Sequence, residues 1–114
     1  MGDTQLSCFI KCWNSLAAQA LAHGKVSGFD SLQHEAIAIA LMHSELSEAL
    51  EAYRHGNPPS EHIPEFGAVE EELADVVIRV MDHAAARKLR VAEAVLAKIA
   101  YNVNRPVWHG GEAY

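Results

Sequence analysis

Two short motifs bear most of the chemistry in this sequence. Glu45-Leu46-Ser47-Glu48 is followed by Ala49-Leu50, and Glu72-Leu73-Ala74-Asp75 by Val76-Val77. Both read acid, Leu, small, acid, then two apolar residues. Acids three apart share one face of a helix. Met42, Leu46, Ala49 and Tyr53 mark the apolar stripe of one such helix, with Glu45 inside its flank and Glu48 one turn on. Val69, Leu73, Val76 and Val80 mark the other, with Glu72 inside the flank and Asp75 at the edge. Like charges so placed repel, and their burial is costly unless something compensates. Four carboxylates without an accompanying His or Cys ligand set call for a hard cation, Mg²⁺ or, as a substitute, Mn²⁺. Glu51, Glu70 and Glu71 fall elsewhere on the wheel and read as solvated.

A single Glu-x-x-Glu would be explained by a wet helix face. Two pairs, each intruding on an apolar stripe, favour the cation. A di-iron bundle usually brings Glu-x-x-His from two helices, and no Glu here has a His three residues later. Lys98, Asn102 and Arg105 follow at i, i+4, i+7 and line one face near the end of a helix. Cations there also complement the helix dipole. As ligands they would donate to phosphate oxygens, Arg to two at once, Lys as a point charge and Asn through its amide. His23-Gly24-Lys25 is no P-loop, because Gln19 stands where the first Gly belongs and Val26 where Ser or Thr belongs.

Four helices would position these groups. The first spans roughly Thr4 to Ala22, with Leu6, Phe9, Ile10, Trp13, Leu16, Ala17, Ala20 and Leu21 at helical spacing. A break is expected over His23 to Asp30, around Gly24 and Gly28. Ser31 offers an N-cap for the second, which runs to about His55. Gly56-Asn57-Pro58-Pro59-Ser60 interrupts the chain. The third helix is expected from Pro64 or Glu65 to about Arg87, its first turns rich in Glu as the dipole favours. The fourth runs from about Arg90 to Asn104, ended by Pro106. The segment Trp108-His109-Gly110-Gly111 reads as loop.

At 114 residues the chain has the length of a single domain over 1–114. The net charge is −6, and eleven of the fifteen acids lie between Glu35 and Asp82, where Arg54 and Arg79 are the basic residues. That distribution excludes a general nucleic-acid binder, which needs a basic face. Cys8 and Cys12, four apart on a helix, read as packing thiols of a reducing compartment. The absence of a basic segment followed by an apolar one argues against a signal peptide and for the cytoplasm. The longest apolar stretch, Ala36 to Met42, is too short for a membrane.

Together, Glu45-x-x-Glu48 in HSELSEALEAYR, Glu72-x-x-Asp75 in VEEELADVVIRV, the 23 residues between them and Lys98-x-x-x-Asn102-x-x-Arg105-Pro106 with His109-Gly110-Gly111 resemble the MazG-like, all-α nucleoside triphosphate pyrophosphohydrolases. The group includes dimeric dUTPases and phosphoribosyl-ATP pyrophosphatases. The resemblance covers about Glu35 to Gly111 and implies a four-helix MazG-like bundle that assembles through helix packing between subunits. It implies hydrolysis of a nucleoside triphosphate to the monophosphate and pyrophosphate, with Mg²⁺ on Glu45, Glu48, Glu72 and Asp75. Glu48 or Glu45 would activate the water, and Lys98, Asn102 and Arg105 would steady the phosphates. Trp13 and Asn14, or Trp108 and His109, would meet the base. A homotetramer built from dimers is expected, with a homodimer second. The alternatives are a non-catalytic helical binding module and a phosphoribosyl-ATP pyrophosphatase.

Overall fold

The computed structural model describes residues 2–26 and 35–105. These form four helices and no strands: α1 Asp3–Val26, α2 Glu35–Arg54, α3 Ala68–Arg87 and α4 Val91–Asn104. Ala, Leu and Glu dominate α2, which suits a helix on propensity alone. Helix α3 is central, packing against both α2 and α1, whereas α4 leans on α1. The Cα radius of gyration is 16.5 Å, against about 13 Å for a compact chain of this length.

The breaks are built from hydrogen bonds. At the end of α2, Gly56 N–H donates to Tyr53 O and Asn57 N–H to Ala52 O, with Gly56 at φ 80° and Asn57 at φ 51°. This is the paired closure that a left-handed residue makes possible after a helix. Helix α3 ends the same way, Lys88 N–H to Ala85 O and Leu89 N–H to Ala84 O, but with a lysine at φ 56° where glycine would be unstrained. The expected start of α3 at Pro64 or Glu65 moves to Ala68. Residues 60–67 instead make a turn, with Ser60 N–H bonded to Phe66 O and Phe66 N–H to Ile63 O. Gly67 is the N-cap residue, and Glu70 Oε1 accepts its N–H. The side-chain cap that Gly67 lacks comes from Asn57, whose Oδ1 accepts Val69 N–H over 2.9 Å. A Cβ on Gly67 would lie 2.7 Å from that Oδ1, so the close approach requires glycine.

The expected break at His23 does not occur, since α1 continues through Gly24 to Val26. A Cβ on Gly24 would come 3.2 Å from Asp82 Oδ2 on α3. The missing side chain lets α1 lie close to α3, which offsets the roughly 1 kcal/mol that glycine costs inside a helix. Ser31, Gly28, Pro106, Trp108 and His109 lie outside the described residues.

The core is made of small side chains: Ala17, Ala38, Ala49, Ala84, Ala86 and Ala92, with Val69 and Met81. The larger apolar residues face out. Leu46, Tyr53 and Leu73, expected in the apolar stripes, are 47%, 65% and 44% exposed, and Ile39, Leu50, Val77, Ile78 and Val103 join them. The stripe that α2 turns inward is instead Ala38, Leu41, Met42, Glu45, Ala49 and Ala52. No helix among the described residues is long and apolar enough to cross a membrane.

Candidate functional site

Between α2 and α3, Glu45, Glu72 and Asp75 each offer a carboxylate oxygen, and the three oxygens lie within 4.8 Å of one another. Oxygens on opposite sides of an octahedral Mg²⁺ are about 4.2 Å apart, given Mg–O contacts of about 2.1 Å. Glu45 is buried, and Glu72 and Asp75 are half-buried. Glu48 is exposed, with its carboxylate against that of Glu72. The packing of α2 against α3 brings Glu45, Glu72 and Asp75 together, with Glu48 beside Glu72.

The electrostatics show how unfavourable this gathering is without a cation. Burial pushes the Glu72 pKa from 4.5 up to about 8, assisted by the Glu45 and Glu48 carboxylates. Glu72 Oε2 is buried and has no hydrogen-bond partner among the described residues. Glu45 and Glu48 are acceptors when ionised, so either could pair with it only by sharing a proton. Asp75 is raised as well, first by burial and then by Glu45, with Arg79 acting against the shift. One counter-charge is built in: Arg79 donates through Nε and Nη2 to Glu45 Oε1, over 3.2 and 3.1 Å. A buried acceptor without a donor, beside two more acidic oxygens at ion-bridging separation, fits a hard divalent cation.

The acid cluster opens into a cavity of about 310 Å³ lined by Ala20, His23, Gly24, Glu45, Asp75, Ile78, Arg79 and Asp82. Six of these residues are not among the site residues expected from sequence, and His23, Gly24, Arg79 and Asp82 are the polar or closely packed ones among them. The signal for Arg79 and Asp82 lies on α3. Glu72, Asp75, Arg79 and Asp82 recur at three- and four-residue steps and draw a polar line along one side of the helix. Glu71, expected to be solvated, has a side chain only 17% exposed and bonds Ser60 and His62.

The remaining predicted contacts stand apart from this cavity. Trp13 and Asn14 line a second one, of about 270 Å³, with Ala17, Ala84, Ala85, Lys88, Leu89, Arg90 and Glu93. Six to ten positions of α1 separate them from Ala20 and His23, about 9–15 Å along the axis. Lys98 and Asn102 are exposed on α4, and Arg105 is half-buried at its end. Lys98 Nζ lies over the Tyr101 ring, 4.4 Å from its centroid. None of the three lines the acid cavity. Compared with protein-family models, with curated proteins and with solved structures, the chain matches none.

Proposed function

We propose that this protein is a Mg²⁺-dependent nucleoside triphosphate pyrophosphohydrolase, converting a (d)NTP to the (d)NMP and pyrophosphate in cytoplasmic nucleotide-pool house-cleaning. The observation that carries it is the carboxylate cluster of Glu45, Glu72 and Asp75, with the buried, unpartnered Oε2 of Glu72; two of the cluster's members, Glu45 and Asp75, line a cavity of about 310 Å³. Glu45, Glu48, Glu72 and Asp75 would hold the ion. When bound, Mg²⁺ supplies charge neutralisation for the phosphates and a lowered pKa for a coordinated water. The chain does the rest by position. Arg79 occupies Glu45 Oε1 and holds that side chain still. Glu48 reaches solvent and has no ion-pair partner among the described residues, whereas Glu45 is tied to Arg79; one of the two would take the proton of a water aimed at the α-phosphorus.

Lys98, Asn102 and Arg105 do not line this cavity, and a second copy of the chain would bring them to phosphates there. The outward-facing apolar residues of α2, α3 and α4 would supply the surface for such an assembly, a homotetramer built from dimers or a homodimer.

The test is pyrophosphate release from a panel of NTPs and dNTPs with Mg²⁺, alongside Glu48→Gln and Asp75→Asn. Metal-dependent release by the parent, lowered by about 10²-fold or more in both variants, is the expected result. No release from any nucleotide by the folded, metal-loaded protein would return the chain to a helical binding module.

A further inference from the structure

The connection between the two acid-bearing helices holds a second polar arrangement. Ser60 is buried. Its hydroxyl donates to Glu71 Oε1 over 2.6 Å and accepts the backbone N–H groups of His62 and Ile63. The other oxygen, Glu71 Oε2, lies 2.6 Å from His62 Nδ1. One carboxylate therefore closes the turn with one oxygen and orients an imidazole with the other. An imidazole held at Nδ1 presents Nε2 as its free edge. The His62 side chain is 80% exposed, so the ring adds little packing to a turn that Ser60 and Glu71 already close.

The place of this ring matters. Glu71 precedes Asp75 by one helical turn, which puts their side chains on one face, about 5–6 Å apart at Cβ. His62 thus stands at the rim of the acid cluster. Its pKa is raised by the hydrogen bond to Glu71 and by that group's charge, with Glu61 and Asp75 adding to the effect. Arg79 is engaged with Glu45, and Lys98 and Arg105 stand on or just beyond α4, outside the acid cavity.

The geometry points to His62 as a contact for the terminal phosphates of a triphosphate whose α-phosphate lies at the acid cluster, with Glu71 as its positioning residue. This rests on the pyrophosphohydrolase reading. The imidazolium Nε2–H donates to a β- or γ-phosphate oxygen, and no bond is made or broken.

The experiment uses inorganic tripolyphosphate with Mg²⁺, titrated calorimetrically into the parent, His62→Gln and His62→Lys, with thermal melts and nucleotide kinetics in parallel. Gln retains a donor for Glu71 without the charge, and Lys retains the charge. The expected result is a five- to tenfold weakening in His62→Gln, roughly the worth of one charge-assisted hydrogen bond, with a matching rise in KM, little change in kcat and an unaltered Tm. His62→Lys should bind nearly as the parent does. Unchanged binding and KM in His62→Gln, with an active parent, overturn the assignment of His62 alone. A loss accompanied by a fall in Tm that Lys does not repair shows a structural role and overturns it too. A parent that neither hydrolyses nucleotides nor binds the tripolyphosphate removes the underlying reading together with this one.

Discussion

Arg79 on α3 spends two donors, Nε and Nη2, on a single oxygen of Glu45 on α2, and so leaves Glu45 Oε2 free of that pair. The arrangement neutralises one of the clustered carboxylates while keeping an oxygen for a cation.

Removing the guanidinium leaves a buried charge without its partner. Arg79→Gln should destabilise the metal-free protein by about 2 kcal/mol, less than a fully buried pair because Arg79 is one-third exposed. Millimolar Mg²⁺ should restore part of the loss. Thermal melts with chelator and with Mg²⁺ check both statements, and an Arg79→Gln protein as stable as the parent in chelator would refute the first.

The raised Glu72 pKa makes stability depend on pH. A carboxyl near 4.5 when unfolded and near 8 when folded holds its proton in the native state. Its contribution is complete below about pH 4.5 and is lost as the pH climbs through 8. Asp75, also raised, acts in the same direction. Glu71, lowered by Ser60 and His62, acts oppositely and weakens the fold on acidification below its ordinary range. In chelator, the Tm should therefore fall by several degrees between pH 6 and pH 9. Glu72→Gln should remove most of that fall, and Mg²⁺ should flatten it. A Tm that stays level across this window in chelator would show that the cluster carries no such strain.

Lys88 holds the left-handed position that ends α3. Lys88→Gly should stabilise the protein by about 1 kcal/mol, raising Tm by several degrees. Its backbone N–H bonds to Ala85 O, and the Leu89 N–H bond to Ala84 O closes the same turn, so the exchange leaves the hydrogen bonding intact. Urea titration at fixed pH measures the difference.

The outward apolar stripe of α2 includes Leu46, Leu50 and Tyr53, all about half exposed or more. Leu50→Glu places a charge in its middle. Sedimentation velocity at micromolar concentration should show an assembly for the parent and a smaller species for the variant. A monomeric parent would leave this surface without the proposed partner.

The helical class and the pairing of acids on α2 and α3 were legible in the sequence, because three-residue spacing and strong helix formers are local signals. The direction of the faces was not. By helical spacing, apolar residues such as Leu46, Tyr53 and Leu73 fall on the stripes that point inward. In this chain alanines let the helices approach, and the larger residues turn out. Gly24 reads as a breaker in one dimension, whereas its role is set by Asp82, 58 positions along the chain, against which it packs. The start of α3 was displaced for a similar reason. Its cap is Asn57, twelve residues before the Val69 it serves, and no window that scans for N-caps looks so far back. The placement of Trp13, Asn14, Lys98 and Asn102 away from the acid cavity likewise depends on how α1 and α4 lean, which helical spacing does not encode.

The strap from His55 to Gly67 is secured at both ends: by Gly56 and Asn57 on the last turn of α2, and by Pro58 O, which accepts Ala68 N–H, and Asn57 Oδ1 on the first turn of α3. It therefore works as a ruler. Surface connections usually absorb inserted residues freely. One extra residue passed into either flanking helix would rotate its acids by about 100° and slide them about 1.5 Å, carrying Glu48 away from Glu72. The strap thus sets the register of one helix against the other, and the alignment of the carboxylates depends on its length as well as on the helices that carry them.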